Sequence, residues 1–261
     1  QDVIGNEVSV YMDDIVVHTQ GTLSEHNSLV DKVLAILDKH NLKCNADKCK
    51  FNAKTFKFLG HLIRVLDDGV SVEITSDYKS AIQNLSPPRT LKHLQRIIGT
   101  VGWVRNWVPD FAGKTRLLQA RVATMQRSNS NRLRLTQEET DELEAIKQEL
   151  ASSSALHLFD PSLETLLYTD ASRFGLGAVL LQTDPNLPRT GNKIIGYYSH
   201  KNTGPESRYK TYELELHALV KALEHFQTIL IGRTVNVFTD HRALLNIRNN
   251  QPRLPRHFGW L

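Results

Sequence analysis

The 261 residues suffice for one large domain or two ordinary ones, and a hydrophobic share of 40% allows at least one real core. No stretch of about eighteen apolar residues occurs, which excludes a hydropathy-defined membrane helix, and the opening Gln1-Asp2-Val3 lacks a secretory signal pattern. The net charge of +4 conceals an asymmetry: residues 76–135 hold eleven Lys/Arg against two acids, a net of +9, while 136–155 hold one Lys against six acids, a net of −5.

Residues 8–18, Val-Ser-Val-Tyr-Met-Asp-Asp-Ile-Val-Val-His, read as two short strands around an acidic turn at Asp13-Asp14, because Val8, Val10 and Ile15 to Val17 are β-branched. Ser24 to His40 reads as a helix with Ser24 as N-cap and Glu25 in the first turn. Its apolar stripe is Leu29, Val33, Ile36 and Leu37, widened by Val30 and Leu34. Cys44 and Cys49 are the only cysteines. Two thiols in such a chain make neither a disulfide framework nor a zinc site and point to a reducing, intracellular setting. Phe56, Phe58, Leu59, Leu62 and Ile63 around Gly60 read as a β-hairpin.

Helices are predicted over 76–86 and 90–107, parted by Pro87-Pro88. Thr90 caps the second, whose face carries Leu94, Ile97, Ile98 and Val101. The +9 block covers this region. Such a block is the electrostatic footprint of a polyanion-binding surface, with a solvated basic helix face as the plainer alternative. The Asn/Ser-rich 127–134 reads as a loop, and Thr136 to Leu150 as an amphipathic helix with a Thr136/Glu139 capping box. Beyond 156, strands are predicted at Thr165–Thr169, Gly175–Gln182, Ile194–Ser199 and Thr234–Thr239. Glu206–Leu230 reads as mostly helix, and another helix begins at His241–Arg248. That order describes a mixed sheet covered by helices.

Two groups of acids carry chemistry. Adjacent carboxylates at Asp13 and Asp14 repel one another in a tight turn, a conflict that a hard divalent cation resolves. An ordinary acidic turn is the bland reading, and flanking strands that project the turn from a hairpin weigh against it. In the last hundred residues Asp170 and Asp240 each end a predicted strand. At 100° per residue, Glu215 shares a helix face with Ala218, Leu219, Ala222 and Phe226, whereas Glu213 points about 160° away and is expected in solvent. Three carboxylates meeting at a sheet edge would form a metal site for phosphodiester hydrolysis; isolated strand-end and helix-face acids are the alternative.

Together these segments resemble the polymerase of LTR retrotransposons of the gypsy type, with pararetroviruses as close relatives, over nearly the whole chain and in order. Tyr11-Met12-Asp13-Asp14 resembles the palm motif of reverse transcriptases, and Leu42 to Phe51 the segment after the palm helix. Phe58-Leu59-Gly60-His61 resembles the primer grip. Pro87-Pro88-Arg89-Thr90, Leu94 through Gly99, Arg105 and Pro109-Asp110-Phe111 resemble the thumb. Thr169-Asp170-Ala171-Ser172 with Gly175 to Leu180, Tyr209 through Ala218, and Thr239-Asp240-His241 resemble a ribonuclease H domain.

The resemblance implies a fold of α+β and α/β type. A partial reverse-transcriptase palm with its primer-grip hairpin would occupy 1–75, a basic helical thumb 76–134 and a connecting helix 135–155. A ribonuclease H-like mixed sheet with flanking helices would occupy 156–261. It assigns metal binding and catalysis to Asp13, Asp14, Asp170, Glu215 and Asp240. Nucleic-acid contacts fall to Phe58, Leu59, Gly60, His61, Arg89, Lys92, Arg96 and Arg105. The implied cofactor is Mg²⁺, with Mn²⁺ as the other candidate. The implied partners are an RNA–DNA hybrid, a primer–template duplex and deoxynucleotides in the complete enzyme, with no membrane, in a cytoplasmic particle or the nucleus. In this family the fingers and a third palm aspartate lie upstream, and a fourth nuclease carboxylate lies downstream. With no initiator Met, the chain is therefore expected to be a fragment. The rival expectation is a catalytically dead, nucleic-acid-binding remnant of a decayed or domesticated element. A transposase or integrase is disfavoured by the Tyr-Met-Asp-Asp hairpin.

Overall fold

The computed structural model describes residues 7–128, 132–184 and 191–245. It divides into two compact units, Gln1–Phe58 and Leu59–Leu261.

In the first unit, β1 (Val8–Tyr11) and β2 (Asp14–Val17) pair antiparallel, with Val8 opposite Val17 and Tyr11 opposite Asp14. The register leaves Met12 and Asp13 as the connecting turn, and Met12 takes φ +54° to close it. Helix α1 (Leu23–Lys39) follows. Its cap is Thr22 and not Ser24. Thr22 Oγ1 accepts the Glu25 N–H at 3.3 Å, and Glu25 Oε2 accepts the Thr22 N–H at 2.7 Å. Thr22 stands three residues before Glu25, the spacing that reciprocal capping needs, so it displaces the nearer serine. Of the predicted stripe, Leu29 is buried and Val33 and Leu37 are half-buried, but Ile36 is 45% exposed. The stripe is thus narrower than its periodicity implied. A capped turn at Ala46–Lys48 leads to β3 (Thr55–Phe58).

The second unit holds two packed bodies. In one, β4 (His61–Leu66) and β5 (Gly69–Ile74) form an antiparallel hairpin, and the short β6 (Leu156–His157) adds to β5. Helices α2 (Ser76–Gln83), α3 (Leu91–Trp103), α4 (Phe111–Lys114), α5 (Arg116–Ser128) and α6 (Gln137–Ser152) enclose a core that includes Ile82, Leu94, Ile97, Val101, Leu118, Leu143, Ile146 and Leu150. Burying each such side chain contributes about 1.5–3 kcal/mol. Thr90 caps α3 through the His93 N–H at 3.1 Å. The helix predicted to run on to 107 stops at Trp103, and Arg105–Trp107 continues as a 3₁₀ turn. Such tightening is a common way to satisfy the last carbonyls of a helix. The loop predicted over 127–134 overlaps α5, which runs to Ser128, and Arg132 bridges Thr90. Helix α6 carries the Thr136/Glu139 capping box, and Glu139 also pairs with Arg121 at 2.7 Å.

The other body is a four-stranded sheet in the order β10-β7-β8-β9. Strands β7 (Glu164–Ala171), β8 (Gly175–Thr183) and β9 (Lys193–Lys201) are antiparallel, while β10 (Asn236–Phe238) runs parallel to β7. Helix α7 (Thr211–Leu230) packs on β7 and β8 over Leu167, Leu180, Ala222, Phe226 and Leu230. This is the mixed sheet with flanking helix that the element order predicted. β10 is shorter than expected, because only three of its residues find partners, at 166–168 of β7. The helix expected from His241 begins as a 3₁₀ turn at Arg242–Leu244, and its continuation to Arg248 lies outside the described residues.

Candidate functional site

Strand pairing brings Asp170 and Asp240 together. Phe238 lies opposite Tyr168 in the parallel β10–β7 pair, so two residues further on Asp240, just past β10, and Asp170, near the end of β7, reach the same end of the sheet. Both carboxyl-bearing residues are exposed there. Helix α7 places Glu215 at the same end, but buried, at 4% exposure. Its Oε2 is enclosed and has no hydrogen-bond partner.

That environment shows in the acidity of Glu215. Its pKa is raised to about 7, first by burial, then by the negative fields of Asp240 and Asp170; the Ala171 N–H pulls weakly the other way. The same N–H donates to Asp170 Oδ1 at 2.8 Å. Burial disfavours the carboxylate, and two like charges nearby disfavour it further. Three hard oxygen donors with one enclosed, unpartnered oxygen are chemically suited to a divalent cation. Among the described residues, however, no group of three or more His, Cys, Asp or Glu side chains is arranged to hold a metal ion.

Two neighbours of this cluster depart from expectation or escaped it. Glu213 is not solvated: it is 5% exposed and accepts the Lys210 N–H at 3.0 Å. Helix phase alone sent it outward, but a carboxylate at the third helical position folds back onto the free N–H groups of the first turn. His241 stacks edge-on against Tyr212 with ring centroids 5.6 Å apart. That contact joins the segment after Asp240 to the start of α7, and no spacing in the sequence signals it.

Asp13 lies in the β1–β2 turn and Asp14 opens β2, both exposed. Phe58 is half-buried at the end of β3. Leu59 and Gly60 turn at φ +48° and +76° before β4 begins at His61. A Cβ on Gly60 would come within 2.8 Å of the Trp103 ring, so glycine is required there both for its φ and for that approach. His61 stacks on Trp103 at 4.6 Å and on Trp107 at 5.0 Å, and burial lowers its pKa, which favours the neutral ring near pH 7. Trp103, itself 49% exposed, lines an open groove of about 510 Å³ with Gly60, Tyr78 and Ala81. Neither tryptophan stood out in the sequence, since pairing with His61 depends on how α3 packs beside β4.

Arg89, Lys92 and Arg96 are exposed, the last two four apart on α3 and therefore on one side of it. Arg105 is engaged within the fold: its guanidinium donates to the Ser199 carbonyl and lies 5.5 Å from the centre of the Phe111 ring.

Residues 1–63 match the family model described as reverse transcriptase (RNA-dependent DNA polymerase). Residues 135–237 match that of the RNase H-like domain found in reverse transcriptase. The chain is 32% identical over 263 residues to the retrovirus-related Pol polyprotein from transposon opus of Drosophila melanogaster, covering 97% of this chain and 25% of that protein. The structure is similar to a foamy viral protease-reverse transcriptase in complex with double-stranded DNA (TM-score 0.81, 27% identity, 99% of this chain and 44% of that one). It is also similar to the foamy viral protease-reverse transcriptase in complex with an RNA/DNA hybrid (TM-score 0.76, 27% identity, all of this chain and 34% of that one). Two stretches of the chain thus match, in order, a reverse transcriptase and the ribonuclease H-like domain found with it. More narrowly, its relatives are retrotransposon Pol polyproteins, in accord with the gypsy-type resemblance, and it spans about a quarter of the opus protein.

Proposed function

We propose that this chain supplies the primer-handling part of a retrotransposon reverse transcriptase together with a ribonuclease H that cuts the RNA strand of RNA–DNA hybrids. In this reading palm occupies 1–75, thumb 76–134, a connecting helix 135–155 and the nuclease 156–261. Its partners are a primer–template duplex and an RNA–DNA hybrid, with deoxynucleotides in the complete enzyme, inside the cell. The observation that carries the nuclease assignment is the buried Glu215, driven to a pKa of about 7 by burial and by Asp240 and Asp170. A carboxylate whose acidity is perturbed by burial together with specific charged partners is a functional-site candidate.

Asp170, Glu215 and Asp240 would hold Mg²⁺ or Mn²⁺, as Asp13 and Asp14 would in the palm. When bound, such ions clamp the attacking and leaving oxygens of a phosphoryl transfer. The chain's own residues set up that role. Glu215 offers an oxygen already stripped of water, and the parallel β10–β7 pair fixes the spacing of the two aspartates. The exposed Lys92 and Arg96 track phosphates without reading bases. Hybrid cleavage in Mg²⁺ tests the assignment: Asp170→Asn is expected to abolish it, and an unchanged rate rejects the site.

A second reading, a nucleic-acid-binding remnant without catalysis, draws on the lack of a finished ligand set among the described residues. Hybrid binding with a steep salt dependence and no cleavage at any Mg²⁺ or Mn²⁺ concentration decides for it.

A further inference from the structure

The turn between β7 and β8 carries an exposed aromatic side chain that the site described above does not use. Phe174 is 66% exposed, yet the backbone beneath it is tied from several directions. Ser172 Oγ accepts the N–H groups of Phe174 and Gly175, each at 3.2 Å. The Asn202 N–H donates to the Phe174 carbonyl at 3.0 Å, and Asn202 Nδ2 to the Ser172 carbonyl at 2.9 Å. Gly175 passes so close to β9 that a Cβ there would meet the His200 carbonyl oxygen at 2.7 Å. The ring is therefore presented on a braced support.

Its position and company are specific. Asp170 and Ala171 pair with Gly177 and Leu176, so the turn projects from the sheet end that bears the acid cluster. One face of the ring is covered by the Arg116 guanidinium, 5.2 Å from the centroid. Arg116 opens α5 and belongs to the basic block, yet its head ends on the nuclease sheet. Arg116, Arg173 and Lys201 are all exposed around the ring's support. An apolar ring flanked by cations beside an acid cluster is ill suited to an apolar protein partner. It suits a strand whose phosphates meet the cations while a sugar meets the ring.

We infer that Phe174 and Arg116 form a contact for the RNA strand of the hybrid, setting the strand against the Asp170–Glu215–Asp240 cluster. The inference rests on the nuclease reading above. The hybrid's shallow minor groove displays ribose edges to an apolar side chain, and Arg116 supplies a phosphate partner next to it. Phe174 is a positioning residue and takes no part in bond breaking.

The test is equilibrium binding of a fluorescent RNA–DNA hybrid by the 261-residue chain without divalent metal, read as a function of salt. Phe174→Ala is expected to weaken binding about ten-fold, the order of losing the burial of one apolar side chain at a contact, and Phe174→Tyr to retain it. Arg116→Ala is expected to weaken binding and to flatten the log–log salt slope by about one, the loss of a single phosphate contact. An unchanged thermal midpoint in Phe174→Ala excludes misfolding. Wild-type binding with no loss in Phe174→Ala overturns this contact and leaves the nuclease reading standing. Failure of the wild-type chain both to bind and to cleave hybrid overturns that reading and this contact with it.

Discussion

The acids of the first unit and those of the second are displayed in opposite ways. Asp13 and Asp14 sit on a two-stranded hairpin with their side chains in solvent. At the sheet end of the second unit two exposed aspartates flank a buried glutamate whose charge is strongly disfavoured. The difference teaches that acidic groups meet the cost of desolvation at different stages. A solvent-facing pair is desolvated only when its partners arrive, whereas a buried member carries its desolvation cost in the folded state.

The sharpest way to break the comparison is to remove acids one at a time. Asp170→Asn and Asp240→Asn are expected to slow hybrid cleavage by roughly 10²–10³ or more, the scale of losing one preorganised electrostatic partner. Asp13→Asn should leave that rate within two-fold in the same assay, as an order-of-magnitude expectation for separate sites. A comparable loss in Asp13→Asn would show that the two clusters are not independent.

Next in size is the core that holds the β10-β7-β8-β9 sheet. Leu180 is fully buried beneath α7, and Leu180→Ala is expected to cost about 2–5 kcal/mol in denaturant unfolding. A cost below about 1 kcal/mol would place Leu180 outside a close-packed core.

The buried glutamate predicts its own pH signature. Its folded pKa of about 7 lies above the ordinary 4.5, so the folded state holds a proton that the unfolded chain releases. The stabilisation is complete below pH 4.5 and is lost as pH rises through 7. In metal-free buffer this contribution amounts to up to about 3 kcal/mol between pH 4.5 and 8. Glu215→Gln should remove it, so the difference in stability between variant and wild type grows with pH in the variant's favour. Parallel pH profiles for the two proteins count against a buried, loaded carboxylate.

The smallest effect compares the capping boxes of the two units. Glu139 is buried and paired with Arg121, so Thr136→Ala should cost about 1 kcal/mol. Thr22→Ala, beside the exposed Glu25, should lower stability less. The reverse order would mean that burial does not decide the strength of these caps.

Much of the local structure was legible because it follows from local rules. β-branched runs around Asp13-Asp14, the Pro87-Pro88 break, and Thr136 three residues before Glu139 each act within one or two turns of chain. The errors were local as well: Thr22 took the cap assigned to Ser24, and Glu213 turned back onto Lys210 where helix phase alone sent it to solvent. Contacts such as His61 between Trp103 and Trp107, Arg105 on Ser199, or Arg116 over Phe174 join distant parts of the chain. No spacing pattern encodes them.

By itself the amino-acid sequence determined the order of the elements, the acids worth watching and the family, because periodicity, turn chemistry and ordered motifs are properties of contiguous residues. Tertiary structure alone decided that Asp170 and Asp240 leave the same sheet end and that Glu215 is buried between their fields. A parallel strand pair whose partners lie 70 residues apart in the chain, with a helix packed across it, arises only on folding. Desolvation and like-charge repulsion at Glu215 then follow from that packing.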